Sequence, residues 1–516
     1  MQTEKEYLIA REISSLRCES VGEYSLPDYN GDVKKILTVK TKVFPSGKFV
    51  GEDSLEFSGT VGYEVVYLDS ENNITHAEFS TDYDAAVKIN SETYLDSDVK
   101  TSVFGANVRL VGPRKLSVKC SLDNDVRIAE KRSHAIEGDA FMEYEPETLL
   151  TVANVLTPSF ASGEAKEVNE VMAELDGAII DEVEVLLSDA RAKTSTLETG
   201  TDTLAVKGSV TVSVLLKNGE QMPRLISKEL AYSEEISLAD AEELESLEER
   251  VEISSLKTAV TPTEDGVSVS ASVTLTPKLS GKKNCPIDLV SDSFLKERGT
   301  ENEYSDFGYT EHVCTETEES IIEFKKSVSE LGIENVGEVI YTEAQARVES
   351  CEILDEGVQI KGEVRFGGIV YSENENEEPI YAPVKFSVPF AENVNLDCQI
   401  HNNMRANCAV NANDAKINFD ENSVYASCEL AFYVTVTSEK RQRCLGASYL
   451  TNEEYEKDES VVTVYYPEPS ESLFSIAKRF HTSVGRIAES NRLSESVFAS
   501  QDEPLGKCDV KKLIIK

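Results

Sequence analysis

The sequence predicts a mainly β protein with three homologous antiparallel β modules, sandwich- or barrel-like with short helices, followed by a small βααβ domain. Two observations carry this prediction. A pair of alternating apolar segments recurs three times, and the last part of the chain changes from period-two alternation to helical spacing. The length of 516 residues predicts about three to five domains.

A glycine inside a long alternating segment marks the repeat. Strict alternation of this kind is typical of a half-buried strand. The glycine is third on the apolar face in every copy, and the three copies are 149 and 154 residues apart. A glycine inside a strand indicates a bulge or a close approach of another backbone. The segments are LEFSGTVGYEVVY (55–67) with Gly59, LAVKGSVTVSVLL (204–216) with Gly208, and VQIKGEVRFGGIV (358–370) with Gly362.

A second alternating segment follows each glycine strand and completes the repeat. These segments begin at Leu116, Val267 and Val424, at intervals of 151 and 157 residues. Two blocks that recur in register three times predict three homologous modules. The predicted division is an N-terminal segment (1–31), three modules (32–160, 161–312 and 313–438), a charged linker (439–459) and a terminal domain (460–516). Short helices are predicted ahead of the second and third modules, at 163–175 and 315–332, and inside the second at 237–250.

The strong negative charge argues against several classes of function. The formal net charge is −43, from 94 acidic and 51 basic residues, which disfavours phosphate backbones and anionic lipid as partners. We therefore expect no nucleic-acid binding and no membrane insertion. The N-terminal sequence has no apolar signal core, and the ten cysteines form no CxxC pair. A cytoplasmic protein with reduced thiols is expected.

The terminal segment has the order strand, helix, helix, strand. Its parts are VVTVYY (461–466), SLFSIAKRF (472–480), SVGRIAESN (483–491) and KKLIIK (511–516). This order resembles the LysM family, and the matching residues are Val462, Val464, Leu473, Ile476, Ala477, Phe480, Thr482, Val484, Ile487, Asn491, Leu493, Leu513 and Ile515. The segment departs from the family pattern in three places: SESL (470–473) stands for GDTL, Phe474 for Trp, and the last connection is long.

Three acidic β repeats followed by one LysM domain resemble the SipL-type spore coat assembly proteins, whose repeats are SPOCS domains. The phrase LPDYNGDVKKILTVKTKV (26–43) resembles that family's entry to its first repeat. The resemblance implies a non-enzymatic morphogenetic protein, made in the mother cell and gathered at the forespore surface in the spore coat. It also implies that the LysM domain binds SpoIVA, the ATPase of the coat's basement layer, while the β modules recruit other coat proteins. The alternative is a LysM protein that binds peptidoglycan or chitin at the spore cortex or wall.

The expected contact residues lie on the LysM surface, because a domain this small uses its apolar residues for its core. They are Glu471, Ser472, Phe474, Lys478, Arg479, His481, Arg486, Asn491 and Arg492. The basic residues favour an acidic partner surface, although such residues more often form a solvated helix face. No catalytic motif occurs, and no cofactor is expected. The pairs His312/Cys314 and Cys398/His401 fall short of a four-ligand metal site, so no metal is expected either.

Overall fold

The protein folds into three antiparallel β-sandwiches and a small C-terminal domain, which confirms the predicted fold class. The structure is a computed structural model. It describes residues 4–27, 30–333, 336–420, 422–455, 462–494, 501–507 and 510–516, with the backbone alone at 195 and 196.

Each sandwich is built from six or seven strands. Those of the first are β1 (Glu4–Ser25), β2 (Val33–Val50), β3 (Ser54–Asp69), β4 (Ile74–Lys88), β5 (Tyr94–Gly112) and β6 (Lys115–Ala135). Those of the second are β7 (Glu147–Ser162), β8 (Lys166–Asp176), β9 (Val183–Thr199), β10 (Thr203–Asn218), β11 (Arg224–Ser237), β12 (Ser246–Pro262) and β13 (Gly266–Phe294). Those of the third are β14 (Arg298–Ser327), β15 (Glu338–Leu354), β16 (Gly357–Glu373), β17 (Pro379–Asn395), β18 (Met404–Asp420) and β19 (Ser423–Glu454).

The remaining elements are short. Helix α1 (Ala140–Glu143) connects the first two sandwiches. The C-terminal domain contains β20 (Thr463–Tyr465), α2 (Leu473–Arg479), α3 (Val484–Asn491) and β21 (Leu513–Ile515). Single 3-10 turns cover Ile180–Glu182, Ala241–Glu243, Ser329–Leu331 and Leu505–Lys507.

All three sandwiches have the same topology. One sheet joins the first strand to the last and the last to the next-to-last, in the orders β1-β6-β5, β7-β13-β12 and β14-β19-β18. The other is a meander, β2-β3-β4, β9-β10-β11 or β15-β16-β17. In the second sandwich the first strand is divided, so that β7 and β8 both pair with β13. The repeated glycine strands are the centres of the three meanders, and they face the central strand of the other sheet.

Each repeat glycine lies under an aromatic ring of the next strand. In the register of β10 and β11, Gly208 is opposite Tyr232. A Cβ atom added at Gly208 would lie 2.4 Å from the Lys193 carbonyl oxygen and 2.4 Å from the Tyr232 hydroxyl oxygen. Gly59 is covered by Tyr83 and Gly362 by Phe390 in the same way. The close approach that the sequence predicted is therefore the function of this glycine.

We expect Gly208→Ala to lower the free energy of unfolding by about 1–3 kcal/mol, because the added methyl group overpacks the interface of β9, β10 and β11. The urea-unfolding midpoint measures the effect. Gly47→Ala is the matched control, since a Cβ at Gly47 meets no atom of the described residues within 4 Å. Equal midpoints for the two variants would contradict the prediction.

The prediction of short helices within the β modules is wrong. Residues 163–175 fall mainly in β8, and residues 315–332 continue β14 to Ser327 before a single 3-10 turn. The acidic segment 237–250 contains one 3-10 turn and the start of β12. These segments are rich in Glu, Ala and other helix formers, but pairing with β13 and β19 decides their conformation.

Two further segments differ from the predicted organisation. The N-terminal segment contributes β1, which pairs with β6 along nearly its whole length. Most of the predicted charged linker 439–459 is the end of β19, where Cys444, Leu445 and Ala447 are buried. Lys440, Arg441 and Arg443 directly precede these residues, so the charge concealed a strand.

One apolar core joins the three sandwiches. Its central members come from the meander sheets of all three and are buried together. They are Leu37, Val66, Leu68 and Ile74 of the first, Leu186, Leu187 and Leu215 of the second, and Ile340, Tyr341, Ile369 and Tyr381 of the third. The modules therefore form one body and not a string of independent domains.

A β-bulge supplies one residue of this core in each sandwich. The pairing register of β2, β9 and β15 shifts opposite the end of the glycine strand. The extra residues are Leu37, Leu186 and Ile340, each at most 5% exposed. A bulge turns a side chain out of the alternating pattern, and here it turns an apolar one toward the neighbouring modules. The bulge is thus repeated with the module.

Buried ion pairs hold the first and second sandwiches together around this core. The Arg250 guanidinium donates to both carboxylate oxygens of Asp98 at 2.5 and 2.7 Å, and to the Val99 carbonyl at 2.8 Å. Burial raises the pKa of Asp98, but the hydrogen bonds and charge of Arg250 outweigh burial and hold this pKa below its ordinary value. The pair is therefore ionised and bidentate.

We expect Arg250→Ala to lower the free energy of unfolding by about 3 kcal/mol, because Asp98 would keep a buried, uncompensated charge. The exposed pair of Arg405 and Glu439, with 3.0 Å between nitrogen and oxygen, provides the control. Arg405→Ala should cost less than about 1 kcal/mol. Urea midpoints check both, and a loss for Arg250→Ala no larger than that of the control would overturn the assignment.

Candidate functional site

The C-terminal domain is held by local hydrogen bonds at its helix ends. Ser472 caps α2, accepting from the Ser475 amide, while the Ser475 hydroxyl accepts from the Ser472 amide. Ser483 caps α3 by accepting from the Arg486 amide at 3.1 Å. Asn491 donates to the Ile514 carbonyl at 2.8 Å and accepts from its amide at 2.6 Å. Ser472 and Asn491, both predicted contact residues, therefore have structural roles here.

Glu471 is the centre of a polar cluster at the first turn. Its carboxylate accepts from the Tyr465 hydroxyl at 2.7 Å and from the Glu468 amide at 2.8 Å, and pairs with Arg479 at 2.7 Å. Burial raises the pKa of Glu471, but these donors together hold it below its ordinary value. Arg479 also donates to the Tyr465 hydroxyl. Glu471, in the segment that stands for GDTL, thus ties the first turn to Tyr465 and Arg479.

One face of α2 lies on the second sandwich. Phe474 is buried and meets Phe294 edge to face, with ring centroids 5.3 Å apart. One turn later, the Lys478 ammonium donates to both carboxylate oxygens of Asp292 at 2.7 Å. Asp292 also accepts from the hydroxyl of Tyr304 on β14 at 2.8 Å. Phe474 and Lys478, both predicted to contact a partner, contact the protein's own β region.

The other predicted contact residues lie around this docked face. His481 stacks on Tyr455, at the end of the third sandwich, with 3.6 Å between ring centroids. Arg492 ends α3 in the left-handed conformation with φ 52°, and both Arg486 and Arg492 are exposed. The structure therefore gathers all nine predicted residues on or next to the helices, and Asn491, at the end of α3, also bonds to β21.

The outer face of the two-stranded sheet carries an apolar patch that sequence reasoning did not select. It consists of Val462, Val464 and Tyr466, which are 56%, 54% and 69% exposed. These residues alternate along β20, opposite the face that packs on the helices. The signal was present in VVTVYY, whose residues are apolar on both faces of the strand. Exposed apolar residues grouped on one face indicate an interaction surface.

Of the two candidate metal-ligand pairs, His312/Cys314 and Cys398/His401, only the two cysteines approach each other. The Cys314 and Cys398 sulfur atoms are 3.2 Å apart, whereas His312 bonds to the Thr315 hydroxyl at 2.9 Å. In the described part of the chain, no three His, Cys, Asp or Glu side chains are placed to share a metal ion.

Two parts of the chain match known protein families. Residues 335–420, in the third sandwich, match the family described as SipL, SPOCS domain, and residues 468–497 match the LysM domain family. The chain combines a SipL SPOCS domain with a C-terminal LysM domain. This confirms the resemblance found in the sequence. Comparison with curated proteins gave no match, and comparison with solved structures gave none.

These families indicate a sporulation-associated, LysM-containing protein. SPOCS and LysM are non-catalytic domain families, and LysM domains are associated with glycan and peptidoglycan binding. The SPOCS match lies in one sandwich, but the shared topology, covered glycine and bulge relate the other two to it. No helix among the described residues is both long and apolar enough to cross a bilayer.

We expect Asp292→Asn to loosen the LysM domain from the second sandwich by up to about 1 kcal/mol, because it removes the charge that holds Lys478. Hydrogen exchange of the α2 amides should rise about fivefold. Lys507→Ala, which removes an exposed pair within the LysM domain, is the control and should leave exchange unchanged. Unaltered exchange in Asp292→Asn would contradict the docking contact.

The same contact predicts a pH dependence. Burial raises the pKa of Asp292, but hydrogen bonds from Lys478 and Tyr304 and the charge of Lys478 hold it below its ordinary value. Docking stability from this pair is therefore complete above about pH 4 and is lost as pH falls through the lowered pKa. Exchange measured through this range in the wild type and Asp292→Asn should converge at low pH.

Proposed function

We propose that this protein is a non-enzymatic structural component of the bacterial endospore coat. It acts in the mother-cell cytoplasm, at the forespore surface. Its LysM domain binds the basement-layer ATPase SpoIVA, and its three sandwiches form a platform that recruits other coat proteins. The observation that carries the proposal is the presence of a SipL SPOCS domain and a LysM domain on one chain.

The geometry of the LysM domain supports a protein partner. Its first turn is closed by the Glu471 network, and Phe474 at the start of α2 is covered by Phe294. A glycan would have to displace these contacts. The apolar patch of Val462, Val464 and Tyr466 remains exposed in the docked arrangement, and patches with an aromatic residue are typical of protein interfaces.

Four of the predicted contact residues fit this proposal in two groups. Arg486 and Arg492 are exposed while the LysM domain is docked, so they can contribute to steering an acidic partner. Phe474 and Lys478 become available only if the domain leaves the second sandwich. Capture through the first group and the apolar patch needs no rearrangement.

We expect the double variant Val462→Asp with Tyr466→Ser to weaken capture of purified SpoIVA by about tenfold or more, because it places charge in the apolar patch. Val21→Asp changes a residue of β1 that is 64% exposed and serves as the control. Surface plasmon resonance with the full chain measures both. Circular dichroism confirms that the variants are folded.

The alternative function is binding to peptidoglycan of the spore cortex or wall, which the LysM match itself favours. Sedimentation of the wild-type chain with purified peptidoglycan tests it in parallel. Retention on peptidoglycan without capture of SpoIVA would overturn the proposal and support the alternative. Arg486→Glu should reduce capture of SpoIVA and leave sedimentation unchanged.

A further inference from the structure

A large cavity lies where the three sandwiches face one another. It has a volume of about 1130 Å³ and is lined by residues of all three. This exceeds the range of about 300–1,000 Å³ that is common for small-molecule pockets. Ser102, Arg365 and Lys385 line it and are exposed to solvent. The cavity is thus open and large enough for a segment of polypeptide.

Six strand edges contribute to the walls of the cavity. Strands β2, β5, β9, β12, β15 and β18 all contribute lining residues. Among the described strands, each of these six is the outer strand of its sheet and pairs on one side only. Such strands present backbone N–H and C=O groups without a ladder partner. One of these backbone carbonyl groups, that of Val103, already accepts a hydrogen bond across the cavity, from the Gln345 side chain at 2.8 Å.

The lining is basic in a strongly acidic protein. Nine Lys and Arg residues line the cavity against five Asp and Glu residues, whereas the whole chain has a net charge of −43. Several of these cations are paired, as Lys282 is with Glu12 at 2.9 Å. Three others, Lys100, Arg347 and Lys385, have no carboxylate within 4.0 Å among the described residues. The cavity therefore offers uncompensated positive charge.

A bulge places an aromatic ring between two of the cations. The register of β5 shifts between Val103 and Gly105, which leaves Phe104 as the extra residue. The Arg17 guanidinium carbon is 3.9 Å and that of Arg347 is 4.4 Å from the Phe104 ring centroid. Arg17 also donates to an Asp123 carboxylate oxygen at 3.2 Å. Stacking on the ring holds the Arg347 guanidinium while leaving its N–H donors available.

We propose that this cavity binds an extended acidic segment of another protein, which adds to an open strand edge and pairs its carboxylates with Lys100, Arg347 and Lys385. Open edges favour a peptide over a small anion, because a phosphate group accepts hydrogen bonds but cannot donate to strand carbonyls. The inference deepens the recruitment role proposed above and rests on it for the origin of the segment.

The test uses the full chain and a short fluorescein-labelled peptide that alternates Glu with Thr. Fluorescence anisotropy should show binding that weakens with added NaCl, and little binding of the same peptide with Gln for Glu. The variant Lys100→Glu with Lys385→Glu should weaken binding by about tenfold. Lys5→Glu with Lys35→Glu changes the net charge equally at exposed residues outside the cavity and should have little effect.

Two further arms decide what the cavity recognises. A peptide with alternate backbone nitrogens methylated should bind much more weakly, since it cannot complete a strand ladder; equal binding would overturn strand addition. Sodium tripolyphosphate is the small-anion probe. If it binds the wild type and the peptide does not, the cavity is a small-anion site and the proposal is overturned. Equal peptide binding by the two lysine variants would also overturn it. Capture of SpoIVA is scored separately, because the LysM patch and the cavity share no residue.

Discussion

The shared core of the three sandwiches is the constraint on which the rest of the structure depends. It exists because each meander has a bulge that turns Leu37, Leu186 or Ile340 away from its own sandwich. The residue seven positions after each repeat glycine, Val66, Leu215 or Ile369, completes the contact. Apolar burial supplies the attraction, and the bulge supplies the direction. The cavity and the strand edges that face it follow from this junction.

The repeat could be predicted from the sequence because its strands obey one period. Gly59, Gly208 and Gly362 sit at the same place in an alternating pattern, and the structure gives each the same aromatic cover. The junction could not be read from that period, since it is formed where alternation ends. In the sequence the junction appears as consecutive apolar residues, such as Val65 to Leu68. All four are buried, so both faces of the strand are covered there.

The LysM domain was predictable for the same reason, because its caps and helical spacing are local. Its surroundings were not. Phe474 and Lys478 looked like residues that the small core did not need, and their partners Phe294 and Asp292 are about 180 residues away in sequence. The helices predicted at 163–175 and 315–332 failed on similar grounds, because a long-range strand partner outweighs local helix propensity.

The distribution of charge gives the three sandwiches and the LysM domain a feature in common. An acidic surface keeps the molecules apart and repels acidic partners at long range, so attraction to such a partner must come from places where the acidity is interrupted. Two examples in the described structure are the cavity with Lys100 and Arg347, and the LysM domain surface with Arg486 and Arg492. Six of the strand edges face the cavity and not the outer surface, so these six are shielded from pairing with the edge of another large sheet. The same arrangement that limits unwanted pairing places open strand edges beside Lys100 and Arg347. A platform that recruits specific acidic segments needs this combination.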